Sequence, residues 1–353
     1  MTLARKRWTV APARQGQPRR AKYGWYGAAC AAVIGVAVLL AVALRPGAAD
    51  SAPKGYAVVT PEPPAREQAH AFPGNVLFGL PEGESVYQAV FPQRRLRAGR
   101  MMLVDEAHPL PDDAATPNTL SVLKNTSGRV TCRDQQAVLA EDALSALDDL
   151  FRQARMERIN QLVVFAATRS EEQQRQLLTD RMAELSRALP LEEALTRAKA
   201  EIETPGCSEH QLPWCVDIRL CQGWNALPDA PGLEASEAGR WLVENCWRYG
   251  FIRRYAGAED DSHRPWHFRY VGKAHAALMH TLGLSLEEYL VCLHNRGAVT
   301  VLGEDGRPLA TAVCQAAGER ESVFALPLSA SVDDASLDNT GYAVVACLYP
   351  PTN

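Results

Sequence analysis

His210, Asp217 and His267 are the residues whose types and spacing could do chemistry together. Two imidazoles and one carboxylate supply three ligands to a divalent metal and leave a fourth position open. That is the composition of a catalytic zinc site, in which a water completes the tetrahedron. His210 and Asp217 lie seven residues apart across a bend containing Pro213. A loop running into a strand can join them, whereas one face of a helix cannot. His267 follows fifty residues after Asp217, in Pro265-Trp266-His267. Either histidine alone would more often be a packed or solvated residue, as His263, His275, His280 and His294 are expected to be. Asp217 adds weight, because a carboxylate in a buried strand is costly unless something pairs with it.

The elements that must position these residues are legible as periodicities. Val216, Ile218 and Leu220 alternate with Cys215, Asp217 and Arg219, which predicts a strand with Asp217 on the face of Cys215 and Arg219. Over residues 266–271 aromatic residues alternate with His267 and Arg269, a second strand, and residues 162–166 read as a short buried one. Leu144, Leu147, Leu150 and Phe151 predict an amphipathic helix over 134–155. Ser170-Glu171-Glu172-Gln173 is a capping box that opens a helix with Leu178, Met182 and Leu185 as its inner stripe. Pro190 suits a first helical turn, and 191–202 continues helical. Ser236 caps a helix that ends at Tyr249, with Gly250 as a left-handed stop. Ser285-Leu286-Glu287-Glu288 is another capping box, and Gly297 ends that helix. Helices alternating with a few short strands predict a compact α+β fold. Beyond Gly297 the pattern changes to strands at 299–302, 309–313, 323–326 and 342–348, separated by turns at Asp305-Gly306 and Asn339-Thr340-Gly341. Residues 298–353 therefore read as a small β appendage.

Residues 28–44 are uncharged and apolar, and about 17–25 such residues span a bilayer as a helix. The first 27 residues carry seven Lys and Arg and no acid, and only Arg45 follows closely. That asymmetry predicts a basic cytoplasmic tail over 1–27, a transmembrane anchor over 28–44 and a main domain outside the cytoplasm. The competing reading is a cleaved signal peptide ending near Ala48-Ala49, whose apolar core would exceed the usual ~7–15 residues. Residues 45–99 form an extracytoplasmic linker, Ala- and Pro-rich to residue 74, with short strands expected at 76–78 and 86–91. Without the tail, 30 basic residues face 41 acidic ones, a surface that excludes nucleic acid as a partner. Eight cysteines lie beyond the apolar segment. In an exported domain they make disulfides plausible, with the pairing left open. Cys207 and Cys215 flank His210, so a thiolate ligand is an alternative, although the Cys-x-x-Cys pairs of structural zinc sites are absent.

Ser208-x-His210, six residues, then Asp217, with Trp266-His267 fifty residues later, resembles the VanY-type zinc D-Ala-D-Ala carboxypeptidases. Arg169-Ser170 with Gln174, residues 241–251 and residues 266–272 extend the likeness over roughly 100–295. The resemblance implies a D,D-carboxypeptidase-like domain over 100–297, with helices around a small, mainly antiparallel sheet. It implies Zn²⁺ on His210, Asp217 and His267, and a peptidoglycan stem peptide that loses its terminal D-Ala. Arg169 would hold the substrate's carbonyl or carboxylate, and Ser208, Gln211, Gln174 and Trp266 would line the pocket. The family places a general-base Glu three residues before the last His. Here that position is Arg264, which cannot accept a proton. Pro213 also stands where the family has Gly. Glu259, Asp260 and Asp261 lie just upstream, with Asp261 as the candidate substitute base and His263 as a weaker one. Three readings follow: a membrane-anchored peptidase with a relocated base, a catalytically impaired descendant that binds zinc or cell-wall peptide, or an envelope protein without metal.

Overall fold

The computed structural model describes residues 72–351 apart from 112–119, 124–125, 127–128, 135, 223–224, 227–232 and 256–263. Its strands are β1 (Val76–Leu77), β2 (Val86–Pro92), β3 (Leu120–Val122), β4 (Val138–Ala140), β5 (Leu162–Ala166), β6 (Cys215–Gln222), β7 (Asn225–Ala226), β8 (Phe251–Arg253) and β9 (His267–Tyr270). They continue with β10 (Ala298–Leu302), β11 (Pro308–Ala316), β12 (Glu321–Pro327), β13 (Ser331–Leu337) and β14 (Tyr342–Leu348). The helices are α1 (Gln93–Leu96), α2 (Glu141–Met156), α3 (Glu171–Leu185), α4 (Leu191–Glu201), α5 (Glu237–Asn245), α6 (Lys273–Leu282) and α7 (Leu286–Arg296).

The site stands on an antiparallel sheet of order β5-β6-β9-β8, with β7 beside β6. One register decides the chemistry: Asp217 lies directly opposite His267, and Cys215 opposite Arg269. Directly opposed residues share a face, so a single strand pair sets an imidazole beside a carboxylate. The other face of the sheet is apolar. Val164, Val216, Ile218 and Phe268 are fully buried there in one cluster with Leu147, Leu150 and Phe151 of α2 and Leu242 of α5.

Helix α2 begins at Glu141 rather than at 134, because Val138–Ala140 instead pairs antiparallel with Leu120–Val122. Helix α3 carries the expected capping box, but Leu178, Met182 and Leu185 are only half-buried and its one buried residue is Gln174. The helix capped by Ser236 ends at Asn245 and passes into a 3-10 turn over Cys246–Tyr249. The β part of the chain is larger than 298–353. Its sheet runs β1-β10-β11-β14-β13, and β12 pairs with β2, so the strands expected at 76–78 and 86–91 close it from before the core. Strand β13 escaped the sequence reading because Asp333 and Asp334 interrupt its alternation. Helices α6 and α7 pack on β10, β11 and β14 through Leu278, Leu290, Val299 and Val344, all buried.

All eight cysteines of the described chain are buried and none is in a disulfide, so the expected disulfides are not formed. Among the described residues no single helix is long and apolar enough to cross a membrane. The tail 1–27, the apolar segment 28–44 and the linker up to residue 71 lie outside the described residues.

Gly250 turns the chain from the 3-10 turn into β8 with φ +83°, and a Cβ there would stand 2.7 Å from the Tyr270 ring on β9. Replacing it strains both backbone and packing. Gly250→Ala is expected to lower stability by ~1–3 kcal/mol, read as a lower urea midpoint at unchanged slope. An unshifted midpoint would contradict this account of the turn.

Candidate metal centre

His210 enters from a single 3-10 turn, Glu209–Gln211, just ahead of β6. Ser208 caps that turn by accepting the His210 N–H at 3.3 Å. Two backbone bonds pin it in place. Arg169 N–H donates to the His210 carbonyl at 2.7 Å, and Leu110 N–H donates to the Gly206 carbonyl at 2.7 Å. Gln211 Oε1 accepts the Gly206 N–H at 2.7 Å, closing the loop on itself.

The three residues singled out by spacing converge. His210 Nε2 lies 3.2 Å and His267 Nδ1 2.8 Å from the same Asp217 Oδ1. Ligand atoms on a tetrahedron with bonds of ~2.0–2.1 Å stand about 3.3 Å apart, so the donor set fits a divalent ion with only small shifts. The opposite ring nitrogens are occupied. His210 Nδ1 donates to the Ala167 carbonyl at 2.9 Å, and His267 Nε2 faces Glu209 Oε2 at 3.2 Å. These outer bonds fix the ring orientations so that the inward nitrogens face the metal position, as second-shell partners do. Both imidazoles are buried, whereas the Asp217 side chain keeps 17% exposure and opens the centre to solvent.

Glu209 is the functional residue that sequence reasoning missed, having stood only as the middle of Ser-x-His. Its carboxylate is 1% exposed and accepts from Arg254 Nε and Arg269 Nη1, each at 2.7 Å. Arg254 continues to Glu287 on α7 at 3.1 Å, and Arg269 Nη2 donates to the Arg100 and Met102 carbonyls at 2.6 Å. A signal existed. Arg269 shares the face of His267, and a buried guanidinium there requires an anion.

Electrostatics follow from this crowding. Burial opposes charge on Asp217, but the two imidazoles outweigh it and hold the carboxyl well below the usual range. Burial likewise opposes charge on Glu209, yet Arg254, Arg269 and His267 hold it well below too. Burial depresses His210 despite Asp217. His267 is raised well above the ordinary imidazole value, because bonds to Asp217, Cys215 and Glu209 overcome burial. Glu209, Cys215 and His267 also cluster closely enough to suggest a second cation position. Two guanidiniums already neutralise Glu209, and burial followed by Glu209 keeps the Cys215 thiol protonated. The first triad is therefore the set better suited to a metal, and Cys215 is a buried donor behind it.

The remaining site residues surround the triad. Arg169 is half-buried, and among the described residues no carboxylate pairs with it; its Nε is buried without a partner. Burial pushes it below its ordinary value and Asp217 pulls it back. With Ser170, Gln211 and Trp214 it lines a cleft of about 700 Å³. Trp266 is half-buried, with the Arg219 guanidinium 4.2 Å above its ring. Gln174 does not line the pocket: it is fully buried and donates to the Glu203 carbonyl at 2.7 Å. Arg264, at the position where the family has its base, pairs with Glu203. Glu259, Asp260, Asp261 and His263 lie outside the described residues. His275 bonds to Tyr289 at 2.9 Å, His280 stacks on Trp247, and His294 pairs with Asp338; all three lie apart from the triad.

At neutral pH His210 is already neutral, whereas His267 carries a proton that a metal must displace. Zn²⁺ binding to the metal-free protein is therefore expected to release close to one proton, and affinity to rise with pH through neutrality. Calorimetry in buffers of different ionisation enthalpy measures this, and a buffer-independent heat would rule it out. Glu209→Ala strands buried guanidiniums and frees the His267 ring. It should cost about 3–5 kcal/mol of stability and weaken metal binding ~10–100-fold, checked by urea unfolding and competitive Zn²⁺ titration.

The family model described as VanY, D-alanyl-D-alanine carboxypeptidase, matches residues 136–273. A D-alanyl-D-alanine carboxypeptidase of Enterococcus faecalis is 38% identical over 152 residues, 41% of this chain and 52% of that protein. The chain thus spans about half the length of that relative. The bifunctional D-Ala-D-Ala dipeptidase and carboxypeptidase VanXYC of Enterococcus gallinarum is 28% identical over 193 residues, 54% of this chain and 92% of that one. Among solved structures, the vancomycin resistance D,D-pentapeptidase VanY in complex with Zn(II) is 31% identical, covering 54% of this chain and 98% of that one, with TM-score 0.44. The D,D-dipeptidase VanXYg, at 21% identity and TM-score 0.56, covers 74% of this chain and 99% of its own and shares the fold. Residues 136–273, which hold His210, Asp217 and His267, form a VanY-family D-alanyl-D-alanine carboxypeptidase domain.

Proposed function

We propose that the protein is a zinc D,D-carboxypeptidase that removes terminal D-Ala from peptidoglycan stem peptides, anchored in the membrane by residues 28–44 with its main domain outside the cytoplasm. The observation that carries the reading is the convergence of His210 Nε2, His267 Nδ1 and Asp217 Oδ1, with both outward ring nitrogens already bonded. Relatives named for this activity, and a relative solved with Zn(II), support it.

His210, Asp217 and His267 would hold the ion, and Glu209 keeps His267 in the orientation that presents Nδ1. When bound, zinc supplies a polarised carbonyl and a water acidic near pH 7. Arg169 is a cation without an internal partner beside Asp217, so it can fork two hydrogen bonds onto the carbonyl oxygen or terminal carboxylate of a peptide. The cleft that it shares with Trp214 has room for the residues preceding the scissile bond. Ser208 and Gln211 act through the turn, holding its backbone so that His210 meets Asp217.

Arg264 favours a second reading, in which the site binds zinc and cell-wall peptide without turning it over. The two separate cleanly. The zinc-loaded full chain is expected to release D-Ala from a peptide ending in D-Ala-D-Ala and to spare the L-Ala-L-Ala peptide. Binding of the D-peptide without release would select the second reading. Arg169→Ala should lower kcat/KM by ~10²–10³-fold, the cost of removing a donor to a developing oxyanion, with zinc content unchanged. For the anchor, the full chain should resist alkaline extraction from membranes, and a chain beginning at residue 45 should not.

A further inference from the structure

Cleaving an amide with water moves one proton twice. The attacking water must lose it as the O–C bond forms, and the departing amine must gain it as the C–N bond breaks. A positioned acceptor contributes ~10²–10⁴-fold to such a step. Among the described residues three carboxylates bond to the histidine ligands or to the segments that carry them. Asp217 belongs to the ligand set. Glu209 is closed in at 1% exposure by two guanidiniums and His267. The third is Glu203, whose side chain keeps 20% exposure and so reaches solvent.

Glu203 sits on the loop between α4 and the His210 turn, and it is fixed at three points. Its carbonyl accepts from the buried Gln174 amide at 2.7 Å. Its Oε2 stands 3.3 Å from the Ser208 hydroxyl, which itself accepts the His210 N–H. Its Oε1 pairs with the Arg264 guanidinium, and the Arg264 carbonyl accepts the His267 N–H at 3.0 Å. The carboxylate is thereby tied to the backbone segments that carry both histidine ligands. Arg169 lies close to Arg264, since after burial it is the charge that depresses the Arg264 guanidinium.

Resting on the hydrolase reading above, we propose that Glu203 is the proton-transfer residue of this centre, and that Arg264 is its positioning residue. Glu203 takes the proton of the attacking water while the O–C bond forms. It returns that proton to the amine nitrogen while the C–N bond breaks, and its carboxylate is regenerated with no other reagent. Arg264 holds the carboxylate in one orientation through their ion pair. The substitution at 264 then relocates the acid and does not remove it.

The test uses the full chain. Glu203→Gln should lower kcat ~10²–10⁴-fold with KM little changed. Zn²⁺ affinity, titrated into the metal-free protein, should match wild type. The Co²⁺-substituted protein should show a displaced pH midpoint in its visible spectrum. Added formate should restore part of the rate to Glu203→Ala, which a merely structural residue would not allow. Wild-type rate and pH profile in Glu203→Gln would overturn the proposal and leave the hydrolase reading standing. The variant Glu203→Ala/Arg264→Glu separates the remaining cases. If it cleaves D-Ala-D-Ala while the wild type does not, Glu203 has no catalytic role although the centre is a peptidase. If neither cleaves with zinc bound, the hydrolase reading itself falls, and the proposal with it.

Discussion

His267 lies between two carboxylates, and most of the site follows from holding that ring in one orientation. Asp217 faces Nδ1 because the β6–β9 register sets the two residues directly opposite. A slip of one residue would turn Asp217 to the apolar face, beside Val164 and Phe268, so burial on that side protects the chemistry on this one. Glu209 faces Nε2 from a different element. An imidazole bonded on both sides cannot rotate or exchange tautomers without breaking a charged hydrogen bond. The inward nitrogen therefore already points at the metal position, and only its proton has to leave.

Keeping Glu209 charged in the interior is the harder requirement. A carboxylate at 1% exposure is tolerable only with close, well-directed cations, and removing one partner of such a cluster costs several kcal/mol. Arg254 and Arg269 meet that need, and each ties the centre to a separate layer. Arg254 reaches Glu287 in the first turn of α7. Arg269 bonds the carbonyls of residues 100 and 102. The same segment, through Leu103, exchanges two backbone bonds with the Asn339 side chain at 2.9 Å, just past β13. The β unit thus steadies the strand whose carbonyls steady Arg269, which steadies Glu209, which orients His267.

What the sequence disclosed and what it withheld divide along physical lines. The ligand triad was legible because metal chemistry demands specific side chains at spacings that a strand pair can close. The capped helices and the strands around Asp217 and His267 were legible because caps and alternation are local. Glu209, the Glu203–Arg264 pair and the true place of Gln174 were not, because each depends on a partner 29–61 residues away or more that no local pattern names. Strand β13 was hidden by Asp333 and Asp334, which turned out to be useful. Asp334 pairs with Arg100 at 3.1 Å and Asp333 accepts the Ala274 N–H at 2.9 Å, fastening the β unit to the core. The cysteines misled for a related reason. Their number and compartment suggested cross-links, yet all eight are buried and six of them, Cys132, Cys215, Cys246, Cys292, Cys314 and Cys347, lie within the apolar clusters.

Formal charge gives the exchange at residue 264 its physical sense. Among the described residues, Asp217 and Glu203 bring two negative charges, and Arg169 and Arg264 bring two positive ones, while Glu209 and Glu287 behind them are balanced by Arg254 and Arg269. With a divalent cation bound, the front of the site carries an excess of about two positive charges. A peptide ending in a carboxylate brings one negative charge, and the tetrahedral species formed on its cleavage adds a second. An acid at 264 without Arg264 would leave less positive charge at the same place, whereas an arginine there without Glu203 would bring a cation with no acid to hold. The pair satisfies both limits, because the cation is retained to hold the acid and the acid is retained to offset the cation.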